Sequence, residues 1–330
     1  MATSQSAPIT VPDPLTEPLR DTRYLVNLIS TISGVAEEDV AEQLWREHQN
    51  LGCSVAAELK RKGIRPYEWS AELLDFYRET NSFLYETTVW NRSPDKNEMR
   101  RWIANYLAAK DGKPQRILTF GDGLGFDSLY LTQAGHQVDY HDVSADGGSF
   151  AARLFRDFNA DVRILNSAED VVDDTYDAVV CLDVLEHVPS PPELVKKLAR
   201  AIRPGGNFIV HAPFWYVAPA VATHLRSNKK YSGDIAKLYA PCGLVPVDGQ
   251  LFLNPLVLRK LPQRSAPETA PVTTCGGVPT AIRIGSILLK TARICDWPHR
   301  LYFRWGYGKR WKPWPELNEF RRTSRVQSAA

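Results

Sequence analysis

The densest chemistry in the chain lies between Ile117 and Gly135, in the run ILTFGDGLGFDSLYLTQAG. An apolar run ends at Phe120, then Gly121, Gly123 and Gly125 stand at alternate positions, and a segment with Leu129 on its inner face runs to Gly135, a natural C-terminal cap. This reads as strand, glycine turn and helix, a place where a ligand can lie against backbone that carries no Cβ. Spacing separates two ligand classes. A dinucleotide turn wants its third glycine at the sixth position, whereas here the fifth position is Gly125 and the sixth is Phe126. Further on, the run GHQVDYHDVS ends its strand pattern at Asp142, and a carboxylate there can accept both hydroxyls of a ribose.

Three more segments continue the pattern: NSAED at Asn166 to Asp170, YDAVVCLDVLEHV at Tyr176 to Val188, and IRPGGNFIVHAP at Ile202 to Pro213. The elements that must position them are short β-rich runs alternating with helical patterns, the signature of a parallel sheet covered on both faces. The runs are Arg116 to Phe120, Gln137 to Val143, Val162 to Leu165, Tyr176 to Leu182 and Asn207 to Ala212. Leu244 to Val247 and Leu251 to Leu258 flank Asp248-Gly249, which predicts a tight turn between two antiparallel strands.

With these motifs in order and at these spacings, about half the chain resembles the class I S-adenosylmethionine-dependent methyltransferases, in particular the group with a D-V-L-E-H-V segment after the fourth strand. The resemblance implies an α/β doubly wound, seven-stranded, Rossmann-like sheet with its last strand antiparallel, and S-adenosylmethionine as cofactor. It implies that Gly121, Gly123 and Gly125 hold the methionine part, Asp142 the ribose, and Ala168 and Glu169 the adenine with Ser167 nearby. Leu182 and Asp183 would lie beside the transferred methyl. Many members carry an acid two residues before the first glycine, where this chain has Thr119. Asp122 or a backbone carbonyl must then answer the cofactor's ammonium group.

Because a sulfonium is already an excellent leaving group, the protein's main task is alignment, with a general base added where the acceptor is a hydroxyl. The candidates for that base are Asp183, His187 and His211. Asp183, Glu186, His187 and His211 also form a set that can hold a divalent ion. The D-V-L-E-H-V form is common in enzymes without metal, so none is expected. The acceptor wall is expected from the N-terminal helices, Phe214 to Tyr216, and Thr223 to Tyr231. The expected function is methyl transfer to oxygen or nitrogen of a small organic acceptor: an aromatic, a quinone-like molecule, a sugar or a natural product. RNA methylation and a non-catalytic binding module are the alternatives.

The remaining regions carry less chemistry. Residues 1–20, with Pro8, Pro12, Pro14 and Pro18, read as a disordered leader, and 21–93 as a helical N-terminal region whose aromatic residues are mostly core. The methyltransferase domain is expected over 94–260, a linker over 261–281, and a basic, Trp-rich tail over 282–330. That tail holds the chain's basic character: from Ala281 onward there are eleven Lys or Arg against three Asp or Glu, while the whole chain carries only +2. Interleaved cations and indoles suit a peripheral membrane or protein contact better than nucleic acid. The five cysteines are scattered without zinc or redox spacing. No basic stretch leads into an apolar run at the N-terminus, and no apolar stretch approaches about 18 residues, so a cytoplasmic location is expected. Oligomeric state is not legible.

Overall fold

Alternate residues of the central strands enter opposite cores, as the two-residue period of a strand requires. Ile117, Ala178, Val180, Ile209 and Val257 belong to one cluster, with Met99, Ile103 and Leu107 of a covering helix. Leu118, Val179, Cys181, Phe208, Val210 and Leu258 belong to the other, with Val195 and Leu198. The structure is a computed structural model that describes residues 13, 17–109, 113–262, 278–301 and 313–328, with side chains described as far as 323.

In chain order the helices before the sheet are α1 (Glu17–Arg20), α2 (Thr22–Ser33), α3 (Glu37–Gln49), α4 (Cys53–Arg61), α5 (Ala71–Glu79), α6 (Ser82–Asn91) and α7 (Pro94–Ala109). The sheet region follows as β1 (Arg116–Phe120), α8 (Phe126–Gln133), β2 (Gln137–His141), α9 (Ala145–Asp157), β3 (Val162–Ile164), β4 (Tyr176–Leu182), α10 (Pro191–Ala201) and β5 (Ile202–His211). It closes with α11 (Ile235–Tyr239), β6 (Leu244–Gly249) and β7 (Leu256–Lys260). Beyond it come α12 (Thr280–Thr291) and a last helix, Pro315–Ser328. The strand order is β3-β2-β1-β4-β5-β7-β6, with β7 antiparallel to both neighbours. The order reverses between β1 and β4, and in open α/β sheets the crevice at that switch point, at the carboxyl ends of the strands, is where ligands bind.

Three expectations about the elements change. Asp248 and Gly249 do not turn the chain: they lie inside β6, paired with Val257 and Leu256 across a bulge, and residues 250–255 make the connection. Residues 17–20 of the expected leader are the helix α1, which buries Pro18 and Leu19; residues 1–12 and 14–16 lie outside those described. The N-terminal helices share one core with the sheet region. Leu25, Leu44 and Leu84 pack in the same cluster as Leu129, Tyr140 and Phe150.

Parts of the expected tail pack on the rest of the chain. In α12, Ile282, Gly285 and Leu289 are buried, and a Cβ on Gly285 would run into the Leu251 carbonyl, so the helix lies hard against the loop before β7. Trp314 is 1% exposed, its indole N–H donates to Thr22 Oγ1 at 2.7 Å, and the Arg92 guanidinium lies 3.9 Å over its ring. Hydrophobic packing decides this over tail composition, since one buried indole outweighs the hydration of nearby cations. Trp297 does stay exposed, as do Ile287 and Ile294; Trp305, Trp311 and most of the expected linker lie outside the described residues. Among the described residues no helix is long and apolar enough to cross a membrane.

Trp314→Ala is therefore expected to cost about 3–5 kcal/mol of stability, as for other fully buried indoles. Urea denaturation followed by circular dichroism measures it. A loss below about 1 kcal/mol would return Trp314 to a solvated tail.

Candidate active site

The turn after β1 folds as its glycines demand, but for two reasons rather than one. A Cβ on Gly121 would collide with Val184, and one on Gly125 would meet Phe155 and Ala151, so protein packing excludes a side chain at both positions. Gly123 differs. It lines the cavity, its φ is +59°, and its nearest would-be neighbour is Thr87 Cγ2 at 3.3 Å across the opening. Its amide donates to Asp142 Oδ2 at 2.7 Å, while Tyr140 Oη donates to its carbonyl at 2.6 Å.

Asp142 stands at the mouth just after β2. Its other oxygen, Oδ1, accepts the Ser144 amide at 2.8 Å. Burial pushes its carboxyl up, and the Ser144 and Gly123 amides draw it back. Each oxygen still has a lone pair for a further donor, so the acid can receive two vicinal hydroxyls without losing its backbone bonds. The neighbouring wall is made by Phe120, His141, Val143 and Ala168.

Thr119 does not fill the place of an acid. Its hydroxyl lies 2.6 Å from Ser128 Oγ, and Asp122 accepts from the Ser128 amide at 2.7 Å and the Asp127 amide at 3.1 Å. Burial, then the charge of Asp127, raise the Asp122 carboxyl to about 7. Asp127 is the acid that stays charged. Burial opposes its ionisation, but Lys96 at 2.9 Å and Arg100 at 2.7 Å hold it below the usual carboxylate range. Lys96 and Arg100 are one turn apart on the buried face of α7, so one helix supplies both cations.

Lys96 reaches a second acid, Asp183, at 3.6 Å. Asp183 follows β4 with φ +60°, a left-handed conformation rare for a residue with a side chain and characteristic of functional sites. Trp90 Nε1–H donates to its Oδ2 at 3.0 Å, and His211 Nδ1, at the end of β5, lies 2.6 Å from its Oδ1. Burial opposes its charge, yet His211 and Lys96 keep the carboxyl well below its ordinary value. A carboxylate on Nδ1 fixes the tautomer and leaves Nε2 as the basic nitrogen of His211.

These groups share one cavity of about 1170 Å³ at the switch point. That exceeds the upper range of about 1,000 Å³ typical of a single small-ligand pocket, so a cofactor and an acceptor can lie in it together. Beyond His211 the wall is aromatic: Trp69, Tyr77, Phe83, Trp215, Tyr216 and Phe252 line it, with Leu289 and Arg300 from the C-terminal region. Several aromatic residues expected as core therefore face the cavity, whereas Phe214 is buried in the second core.

Of the residues expected from sequence, Gly121, Asp122, Gly123, Asp142, Ala168, Leu182, Asp183, His187 and His211 line the cavity. Gly125, Ser167 and Glu169 are outside its lining. Ser167 caps a short turn by accepting the Glu169 amide at 3.1 Å, and the Glu169 side chain is 83% exposed on Lys197. Sequence reasoning missed Lys96 and Asp127, took Trp90 as one of the N-terminal aromatics, and reached His224 only as part of the expected Thr223 to Tyr231 wall. The Lys96/Arg100 pair on an otherwise apolar helix face was the available signal; the others are joined only by tertiary folding.

Residues 92–234 match the protein family described as a methyltransferase domain. Together with the sheet order and the glycine turn, this defines the class: the chain carries a methyltransferase domain. The chain is 31% identical over 140 residues to the ubiquinone biosynthesis O-methyltransferase of Hydrogenovibrio crunogenus, covering 41% of this chain and 57% of that protein. It is also 31% identical over 112 residues to the protein of that name from Xanthomonas oryzae, covering 32% and 46%. The chain thus spans about half the length of the curated relatives it matches. Among solved structures, the Burkholderia thailandensis 1,6-didemethyltoxoflavin-N1-methyltransferase aligns at 19% identity and TM-score 0.40 over 58% of this chain and 87% of that one.

Glu86, on the cavity wall, yields a pH test. One of its carboxylate oxygens is buried with no hydrogen-bond partner among the described residues, and burial, then Glu47, raise the group from 4.5 to about 8. The folded protein thus holds this proton where the unfolded chain has released it, and stability should fall as pH rises from about 4.5 to about 8. Glu86→Gln should flatten that slope, gaining stability at pH 8 and little at pH 4. Melting temperatures of both proteins across this range check it, and parallel pH profiles would contradict it.

Proposed function

We propose that the chain is an S-adenosylmethionine-dependent methyltransferase acting on a hydroxyl of a small aromatic or quinone-like acceptor. The observation that carries this is the His211–Asp183 pair, 2.6 Å apart at the ends of β5 and β4, between the glycine turn and an aromatic-walled space. The two curated relatives named above are both called O-methyltransferases, which favours oxygen over nitrogen.

S-adenosylmethionine supplies, when bound, a methyl group on a positively charged sulfur that departs as a neutral thioether. The chain's residues do the rest. Asp142 holds the ribose hydroxyls with its spare lone pairs, and Gly123 leaves space beside them. Lys96, whose ammonium is opposed by burial but held charged by Asp127 and Asp183, offers a cation to a carboxylate in the cavity. His211 Nε2 takes the acceptor's hydroxyl proton as the oxygen attacks. Asp183 stays ionised and stabilises the imidazolium that forms. Aromatic side chains orient a flat acceptor and exclude water from the oxygen.

Two variants test the division of labour. His211→Ala should lower turnover by roughly 10²–10⁴-fold, the ordinary contribution of a general base, with S-adenosylmethionine affinity unchanged. Asp142→Ala should weaken that affinity at least about tenfold by removing two charge-assisted hydrogen bonds. Methyl transfer from labelled cofactor to simple catechols and phenols, with calorimetry of cofactor binding, reads both. Transfer confined to amines, or full turnover in a folded His211→Ala protein, would contradict the hydroxyl reading.

A further inference from the structure

Behind the His211–Asp183 pair lies a second cluster that this reaction does not use. Glu186, on the loop after β4, has a side chain 1% exposed, and neither carboxylate oxygen has a hydrogen-bond partner among the described residues. An orphaned buried carboxylate is costly, so native structures rarely leave one without a counter-charge. Two imidazoles face it. His187 Nε2 lies 3.9 Å and His224 Nε2 3.8 Å from Glu186 Oε1.

The opposite nitrogens show which way the lone pairs point. His224 Nδ1 lies 2.6 Å from the Tyr216 carbonyl, and His187 Nδ1 lies 3.3 Å from the Thr223 carbonyl and 2.9 Å from Tyr77 Oη. A carbonyl only accepts, so the His224 proton sits on Nδ1 and its Nε2 lone pair faces Glu186; the Thr223 carbonyl favours the same tautomer at His187, with Tyr77 Oη as the second partner of that Nδ1. This is how ligating histidines are held: the outer nitrogen donates to a carbonyl while the inner one is free. The loop that carries Glu186 is itself pinned, since Asn228 Nδ2 donates to the Val188 carbonyl at 2.8 Å and the Glu186 carbonyl at 3.1 Å.

Separations of 3.8–3.9 Å are too long for a proton to bridge as a hydrogen bond. They are near the roughly 3.3 Å that separates ligands around a tetrahedral ion at bond lengths of about 2.0–2.1 Å. The ligand atoms of Glu186, His187 and His224 all lie within 4.8 Å of one another.

We propose that Glu186, His187 and His224 bind a first-row transition-metal dication, one imidazole from each histidine and one carboxylate. Two nitrogens and one oxygen suit Zn²⁺ or its neighbours rather than Mg²⁺ or Ca²⁺, which prefer all-oxygen shells. His187 and His224 line the cavity, so an open coordination position would face the space assigned to the acceptor. This set differs from the four residues singled out in the sequence. Asp183 and His211 are committed to each other, and His224 replaces them. The site does not depend on the methyl-transfer reading.

The test uses the full chain after chelator treatment. Calorimetric titration with Zn²⁺ should show one tight site, Mg²⁺ should not compete, and Co²⁺ should give visible absorption bands of a low-coordinate site. Glu186→Gln and His224→Gln should each weaken Zn²⁺ binding by roughly a hundredfold or more. Tyr77→Phe, touching only an outer nitrogen, should weaken it by about ten- to a hundredfold at most. The Co²⁺ spectrum of the unmodified protein keeps the proposal testable if a variant fails to fold. Absence of saturable Zn²⁺ binding, or equal binding by folded Glu186→Gln and His224→Gln, would overturn it.

Discussion

One constraint organises the site: a carboxylate, Asp183, must stay ionised where water is largely excluded, at the point where the sheet reverses its strand order. Leaving such a charge unpaired costs about 3–5 kcal/mol, so compensation must arrive from several directions. His211 supplies it from β5, Trp90 from α6 and Lys96 from α7. The N-terminal helices are therefore part of the site's electrostatics, not a cap on a finished domain. Lys96 is in turn held by Asp127, at the start of α8 just past the glycine turn, so that turn, α7 and the end of β4 form one ionic network. The left-handed backbone at Asp183 is a strain that this network can hold in place.

The same constraint explains why the turn tolerates Thr119. The inner position is filled by a hydroxyl chain from Thr119 through Ser128 to Asp122, all short neutral or weakly charged contacts. A fixed negative charge there would add to Asp122, Asp127 and Asp183, which already draw on Lys96, Arg100 and His211. The glycines divide along similar lines. Gly121 and Gly125 serve the close approach of Val184 and Phe155, and Gly123 serves the cavity.

Much of this was legible in the sequence. β1 and β4 run over the residues their apolar pattern marks, because strands buried on both faces leave a continuous hydrophobic run. That Asp142, Asp183 and His211 face the cavity was legible because the first two stand immediately after a strand and His211 ends one. What was not legible depends on distant chain segments. His224 meets His187 and Glu186 because Asn228 and the Leu225 amide tie its loop back onto theirs. Trp314 finds Thr22 and Arg92 near the other end of the chain, partners that no local pattern marks. Asp248-Gly249 has the chemistry of a turn but is overridden by pairing with β7. Glu169 has the expected position in order, while its side chain turns outward to Lys197.

The central claim is that the switch-point cavity holds S-adenosylmethionine between Asp142 and the His211–Asp183 pair. A crystal structure with S-adenosylhomocysteine tests it most directly. The ribose hydroxyls should lie on the Asp142 carboxylate, the amino-acid part against the glycine turn, and the sulfur should face the space between His211 and the aromatic wall. The nucleoside bound elsewhere, or the sulfur turned away from His211 with Asp142 untouched, would contradict it.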